Sequence, residues 1–130
     1  MINVTAAIME RDGKILIAKR SSTSSLPKKW EFPGGKVEIG KTPEECLARE
    51  LYEEFDIIVP VGDFYAESVY QYEQKTVRLL AFRVQHDDEI KVMNAHDDVK
   101  WVPAEELLNF DLAPADVPIA QRIRRDEIDI

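Results

Sequence analysis

The stretch from residue 42 to residue 55 constrains the fold of this chain most strongly, because it carries several signals for a helix. Thr42 is a preferred N-cap residue, Pro43 suits the first helical position, and Glu45 completes a capping box. Large apolar residues then recur every four residues and share one helix face, namely Leu47, Leu51 and Phe55. The sequence therefore predicts a helix over residues 42–55 that packs this stripe against a core.

Three glutamates border the apolar stripe of the predicted helix. On a helical wheel Glu54, Glu50 and Glu53 lie about 20°, 60° and 120° to one side of Leu47. Like charges at this spacing repel each other, and partial burial beside leucines raises the cost. A divalent cation such as Mg²⁺, which takes oxygen ligands, removes both penalties. A solvated acidic face with Arg49 as a surface partner is the alternative explanation.

The rest of the chain alternates between strand and helix patterns without a domain linker. Residues 2–8 and 14–20 form two predicted strands around an Asp12-Gly13 hairpin turn. A second hairpin spans residues 65–72 and 76–84, and its second strand is apolar on both faces, which predicts a central position. A short strand at 101–102 and helices at 103–109 and 118–125 complete the prediction. The fold class expected is α/β (α+β), as one domain over residues 1–130.

Composition excludes several classes of protein. The formal net charge of -8 argues against non-specific binding of nucleic acids. The single cysteine, Cys46, rules out an internal disulfide and a cysteine-rich zinc site. The N-terminus lacks the basic region of a signal peptide, and no apolar run is long enough to span a membrane. We therefore expect a cytoplasmic monomer or homodimer without nucleic-acid or membrane partners.

The segment from Gly35 to Ile57 resembles the signature motif of the Nudix hydrolases. That motif reads Gly, five residues, Glu, seven residues, Arg-Glu-aliphatic-x-Glu-Glu-x-Gly-aliphatic, and this chain matches all but two of its defined positions. The stretches WEFPGGKVE (30–38) and LAPADVPI (112–119) are similar to the MutT-type branch, which hydrolyses nucleoside triphosphates. The resemblance implies a Nudix α/β/α sandwich with a mixed central sheet.

The resemblance also implies a metal centre on the predicted helix. The metal would be Mg²⁺, with Mn²⁺ as the alternative. Glu53 would activate the attacking water, while Arg49 would hold the glutamates by charged hydrogen bonds. The implied metal ligands are the carbonyl of Gly35 and the carboxylates of Glu50, Glu53 and Glu54.

Four further residues are implied as substrate contacts. Arg20 and Lys36 would meet phosphates, and Phe32 would flank the base, although an aromatic residue there is equally compatible with a core position. Asp116 would read the base. An ionised aspartate only accepts hydrogen bonds, which favours an amino group such as that of cytosine, whereas a protonated one could donate to an oxidised purine. The alternative for Asp116 is an N-cap of the following helix.

The chain departs from the family pattern at three places. Lys41 replaces the first glutamate of the motif, where it either alters metal or phosphate binding or is simply solvated. Asp56 replaces the motif glycine and should cost stability and not chemistry. Ala95 lies six residues before Trp101, where many relatives carry an auxiliary glutamate.

The leading interpretation is an Mg²⁺-dependent pyrophosphohydrolase that cleaves nucleoside triphosphates, of cytidine or oxidised-purine type, to monophosphate and pyrophosphate. One alternative is hydrolysis of another nucleoside diphosphate derivative such as ADP-ribose. The other is a non-catalytic nucleotide-binding module, which the departures at Lys41 and Ala95 favour. His86 and His96 show no ligand spacing and are expected at the surface.

Overall fold

A six-stranded mixed sheet forms the centre of the computed structural model, which describes residues 1–128. The strand order is β3-β2-β1-β5-β4, and β6 pairs with β2. The parallel pairing of β1 with β5 lies in the middle, flanked by antiparallel neighbours. The strands are β1 (Ile2–Arg11), β2 (Lys14–Arg20), β3 (Trp30–Glu31), β4 (Phe64–Gln71), β5 (Thr76–Gln85) and β6 (His96–Pro103).

Helices cover both faces of this sheet. They are α1 (Pro43–Phe55) and α2 (Val117–Ile128), with short 3₁₀ helices at Ala104–Asn109 and Pro114–Asp116. The stripe of α1 packs with Ala7, Met9 and Leu16 on one face, whereas α2 packs with Ala6, Ile8 and Ile15 on the other. Alternate residues of β1 thus enter opposite cores. The predicted α/β/α sandwich with a mixed central sheet is confirmed.

Local chemistry explains how α1 begins and ends. The Thr42 hydroxyl accepts a hydrogen bond from the Glu45 amide at 3.1 Å, as the capping prediction requires. At the other end Asp56 adopts the left-handed conformation (φ 57°), and its amide donates to the Tyr52 carbonyl. Aspartate tolerates this conformation better than most side chains, so the helix ends where the family motif has glycine.

The hairpin predictions hold, and the last strand begins earlier than predicted. Asp12 and Gly13 both have positive φ, as the tight turn between β1 and β2 demands. Strand β5 is central, as its two apolar faces predicted. Strand β6 begins at His96 and not near Trp101, because its polar first half is held by pairing with β2 and carries no apolar alternation. None of the helices within residues 1–128 is long and apolar enough to cross a membrane.

The segment after β3 runs antiparallel to the first half of β1 and carries two glycines into the sheet. The amides of Ala7 and Thr5 donate to the carbonyls of Pro33 and Gly35, each at 2.7 Å. A Cβ on Gly34 would lie 1.9 Å from the Thr5 carbonyl oxygen, which is too close for any residue with a side chain. The glycine therefore allows this segment to lie directly against β1, beside the acidic face of α1.

Candidate active site

The three glutamates of α1 form the graded arc that the helical wheel predicts. The Glu54 side chain is 9% exposed, that of Glu50 is 21% exposed and that of Glu53 is 57% exposed. Exposure rises with angular distance from the apolar stripe. One carboxylate is thus buried, one lies at the boundary, and one faces solvent. A solvated acidic face does not describe this arrangement.

Arg49 lies among the carboxylates and contacts more of them than the sequence suggested. Its guanidinium lies 2.8 Å from Glu38, 3.3 Å from Glu50 and 3.6 Å from Glu53. The hydrogen bond with Glu38, followed by the other carboxylate contacts, raises the pKa of Arg49 above its ordinary value. Arg49 therefore anchors the acidic residues, as predicted from the resemblance. Glu38, in the stretch GKVE, was not singled out.

Lys41 lies at the edge of this cluster. Its Nζ is 3.9 Å from the nearest Glu38 carboxylate oxygen, and its side chain is about half exposed. Glu38, three residues before Lys41, supplies a carboxylate partner to Arg49. With lysine at position 41, Arg49 thus still forms ion pairs with Glu38, Glu50 and Glu53.

Glu54 is the most perturbed carboxylate of the arc. Burial, together with repulsion from Glu31, Glu50 and Glu53, raises the pKa of Glu54 to about 9. Its Oε1 atom is buried without a hydrogen-bond partner. A divalent cation would supply that partner and offset the repulsion, so the donor set fits a metal ion. Among residues 1–128, no three acidic, histidine or cysteine side chains already converge on one point. Arg49 draws the outer carboxylates to itself.

The carbonyl of Gly35, predicted as a metal ligand, is already engaged. It accepts hydrogen bonds from the Thr5 amide at 2.7 Å and from the Thr5 hydroxyl at 3.0 Å, which uses both of its lone pairs. To ligate a metal ion as predicted, this carbonyl would have to release the hydrogen bond from the Thr5 hydroxyl. Gly35 has a further role, because a Cβ there would lie 2.4 Å from the carboxylate carbon of Glu50. Its lack of a side chain leaves room for that ligand.

The prediction that His96 lies at the surface is wrong. Its side chain is only 3% exposed, and its ring stacks on Phe55 at 5.6 Å. Its Nε2 lies 2.9 Å from Glu31, and its Nδ1 lies 3.3 Å from Glu54. Sequence reasoning missed both His96 and Glu31, because strands β3 and β6 are distant from the helix in sequence and approach it only in the folded chain. His86 is half-buried and lines a different pocket, beside the C-terminal end of α1.

A cavity of about 680 Å³ opens next to the acidic arc. Its size is in the range of small-molecule and cofactor sites. Trp30 is packed in the core, edge-on to Phe110, and does not line it. All four predicted substrate contacts do line it, namely Arg20, Lys36, Phe32 and Asp116.

The two predicted phosphate contacts differ in their present bonding. The Arg20 guanidinium donates to Glu31 at 2.7 Å and to the carbonyl and hydroxyl of Ser25 at 2.7 and 3.1 Å. The Lys36 side chain is exposed at the cavity. Lys36 is therefore open to an incoming anion, whereas Arg20 joins the loop around Ser25 to Glu31.

Asp116 is a buried residue in the wall of this cavity. Its Oδ2 accepts a hydrogen bond from the Phe32 amide at 2.9 Å. Burial and the nearby charge of Glu31 raise its pKa well above the ordinary value for an aspartate. This hydrogen bond reaches another element of the fold and is not an N-cap bond to α2. The base-reading interpretation is thus compatible with the position of Asp116.

The family follows from a comparison with known protein families. A model described as the NUDIX domain matches residues 1–123 of this chain, which includes the acidic arc and the cavity. The chain belongs to the NUDIX family. Nudix hydrolases generally need a divalent metal ion, and the glutamates of α1 are the candidate ligands in this Nudix domain.

Individual relatives resemble the chain over nearly its whole length. It is 40% identical over 121 residues to a CTP pyrophosphohydrolase of Escherichia coli K12, covering 93% of this chain and 90% of the relative. It is 27% identical over 118 residues to an 8-oxo-dGTP diphosphatase of the same strain, covering 91% and 92%. The crystal structure of a MutT protein from Methanosarcina mazei Go1, 27% identical, has a TM-score of 0.87 and covers 96% of this chain and 94% of that one.

Proposed function

We propose that this protein is a Mg²⁺-dependent pyrophosphohydrolase that converts a nucleoside triphosphate into a nucleoside monophosphate and pyrophosphate. The observation that carries the proposal is the buried Glu54 carboxylate, whose Oε1 has no hydrogen-bond partner, at the buried end of an acidic arc and beside a cavity large enough for a nucleotide. The names of relatives similar over most of the chain support the same reaction class. Mn²⁺ would be accepted in place of Mg²⁺.

Glu50, Glu53 and Glu54 would hold the metal ion. When bound, such an ion stabilises negative charge on phosphoryl oxygens and lowers the pKa of bound water. Glu53, the most exposed of the three, would accept the proton of the attacking water. The water oxygen forms a bond to one phosphorus of the α–β anhydride, that anhydride bond breaks, and the products are the nucleoside monophosphate and pyrophosphate. Arg49 keeps the carboxylates in position, and Lys36 neutralises substrate phosphate charge.

Protonation of Glu54 gives the first prediction. Because the pKa of Glu54 is raised to about 9, its carboxyl is protonated at neutral pH in the metal-free protein. Metal binding requires the carboxylate, so binding near neutral pH should release about one proton, and release should vanish above roughly pH 10. Isothermal titration of Mg²⁺ in Tris and in HEPES measures this through the buffer ionisation enthalpy. Equal enthalpies in both buffers would contradict the prediction, and Glu54→Gln serves as the control without a titrating group.

We propose cytidine nucleotides as the preferred substrates, with Asp116 as the residue that reads the base. The proposal requires Asp116 to be ionised when the nucleotide is bound, so that it accepts from the amino group of cytosine, although burial raises its pKa in the free protein; a protonated Asp116 would instead donate to an oxidised purine. Asp116→Asn keeps the size of the side chain and an oxygen to accept from Phe32, but its amide can also donate to the carbonyl of uracil. We expect the ratio of kcat/KM for CTP over UTP to fall at least about tenfold. An unchanged ratio would show that Asp116 does not read the base.

A substrate panel tests the proposed function as a whole. Pyrophosphate release would be measured for the four common ribonucleotides, their deoxy forms, 8-oxo-dGTP and ADP-ribose at fixed Mg²⁺. The proposal predicts metal-dependent turnover of triphosphates, with the highest kcat/KM for CTP or dCTP. A preference for ADP-ribose would favour the diphosphate alternative. Nucleotide binding without turnover of any member would favour a non-catalytic module.

A further inference from the structure

One buried histidine connects the acidic arc to the nucleotide cavity. His96 begins β6, and its ring lies between two carboxylates, Glu54 on α1 and Glu31 on β3. The loop just before it is fastened to the end of the helix, because the Asn94 amide donates to the Glu54 carbonyl at 2.8 Å. The ring is held from a third side by stacking on Phe55. These contacts leave the imidazole little freedom to move.

The two oxygens of Glu54 have different surroundings. Oε2 lies 3.3 Å from His96 Nδ1, close enough for a strong contact but not aligned as a hydrogen bond. Oε1 and His96 Nδ1 are both buried without a hydrogen-bond partner. A small rotation of the carboxylate would let Oε2 accept a hydrogen bond from Nδ1 and leave Oε1 for a cation; a ring that donates from both nitrogens serves Glu54 and Glu31 together. Buried polar atoms without partners are costly, so this rotation is favoured once a cation takes the other oxygen.

On its other side His96 joins a chain of polar contacts that reaches the cavity mouth. His96 Nε2 contacts Glu31 at 2.9 Å, Glu31 accepts from Arg20 at 2.7 Å, and Arg20 holds Ser25. Arg20, Glu31 and Ser25 all line the cavity. The histidine therefore touches the proposed metal ligand with one nitrogen and the substrate side with the other.

We propose that His96 is a positioning residue that orients Glu54 for the metal ion and couples this orientation, through Glu31 and Arg20, to nucleotide binding. The inference rests on the proposed function, since it takes Glu54 as a ligand. Hydrogen bonds from outer-shell groups to ligating side chains fix ligand orientation, and their loss typically weakens metal affinity about 10- to 100-fold. In this chain His96 supports the metal site from the first position of β6.

Two amide substitutions separate the contacts of the ring. The amide nitrogen of asparagine can stand where Nδ1 stands, so His96→Asn keeps the contact to Glu54 and loses the contact to Glu31. Glutamine reaches the position of Nε2, so His96→Gln keeps the contact to Glu31 and loses that to Glu54. Both variants lose the stacking on Phe55 and should lose similar stability. A purely structural role would affect both alike.

Calorimetric titration of Mg²⁺ into wild type and both variants, without nucleotide, tests the proposal. We expect His96→Gln to weaken metal affinity at least about tenfold and His96→Asn to stay within about threefold of wild type. His96→Asn should instead raise KM for CTP. Equal losses in both variants, or metal affinity unchanged in His96→Gln, would overturn the proposal. If wild type itself bound no metal and hydrolysed no nucleotide, the proposed function would fail as well.

A measurement on the wild-type protein keeps the test independent of variant folding. The chain has two histidines, so the ring nitrogens of His96 can be assigned by nitrogen-15 NMR with a His86→Asn variant. Mg²⁺ should shift the Nδ1 resonance of His96 more than its Nε2 resonance. A non-hydrolysable CTP analogue added without metal should shift Nε2. Ring resonances that respond to neither addition would overturn the proposal.

Discussion

Replacing Glu53 by glutamine is expected to lower kcat for nucleoside triphosphate hydrolysis by about 10²- to 10⁴-fold, the usual contribution of a general base. Glutamine has the same shape, but its amide cannot accept the proton of the attacking water. The side chain is mostly exposed, so the fold and its stability should be unchanged. Steady-state kinetics with a pyrophosphate readout, alongside a urea unfolding curve, measures both quantities.

Glu44→Gln is the matched control for this substitution. Glu44 is an exposed glutamate in the first turn of the same helix, outside the arc. It should retain wild-type kcat, because it contacts neither Arg49 nor the cavity. If Glu53→Gln kept full activity while Glu50→Gln lost it, the role of base would move to Glu50. Full activity in both variants would remove the arc from the reaction.

Replacing Gly34 by alanine is expected to cost at least about 3 kcal/mol of unfolding free energy, at the upper end of overpacking effects. The new Cβ would meet three backbone atoms of β1, at 1.9 Å from the Thr5 oxygen, 2.7 Å from the Thr5 carbon and 3.0 Å from Ala6 Cα. Backbone in the central sheet cannot move aside as a side chain can. The segment after β3 would therefore separate from β1. Urea denaturation measures the loss.

Gly35→Ala separates this structural effect from a functional one. Its Cβ would meet only the side chain of Glu50 among its nearest atoms, so Glu50 can turn away at smaller cost. We expect a smaller loss of stability than in Gly34→Ala, together with weaker Mg²⁺ binding. Equal unfolding free energies for Gly34→Ala and wild type would show that the segment does not pack on β1 as described.

The sequence predicts α1 closely because its signals are local. The Thr42 cap, the apolar stripe and the carboxylate arc depend only on helix geometry, and each appears where the spacing places it. The end of the helix at Asp56 follows from the conformational tolerance of a single residue. The central position of β5 follows in the same way from its two apolar faces.

Features that depend on contacts between distant segments were not predictable in this way. His96 carries no ligand spacing, and only the folding of β6 beside β2 brings it to Glu54. The hydrogen bonds of the Gly35 carbonyl to Thr5 depend on the register of a segment against β1. Glu38 similarly reaches Arg49 across a turn whose path the sequence does not fix.

The pairing of Glu38 with Arg49 changes how the departure at Lys41 is understood. From the sequence alone, a lysine in place of the motif glutamate makes the alternative of a non-catalytic module credible. In the structure the three glutamates of α1 and their arginine are retained, with Glu38 supplying the charge near position 41. This arrangement favours the enzyme.

The most direct test of the central claim is the dependence of CTP hydrolysis on Mg²⁺, with products separated by anion exchange. The account predicts no turnover in EDTA, a saturable rise with Mg²⁺, and equal amounts of CMP and pyrophosphate. CDP with orthophosphate, turnover that persists without metal, or no hydrolysis of CTP or any other triphosphate at saturating Mg²⁺ would contradict it.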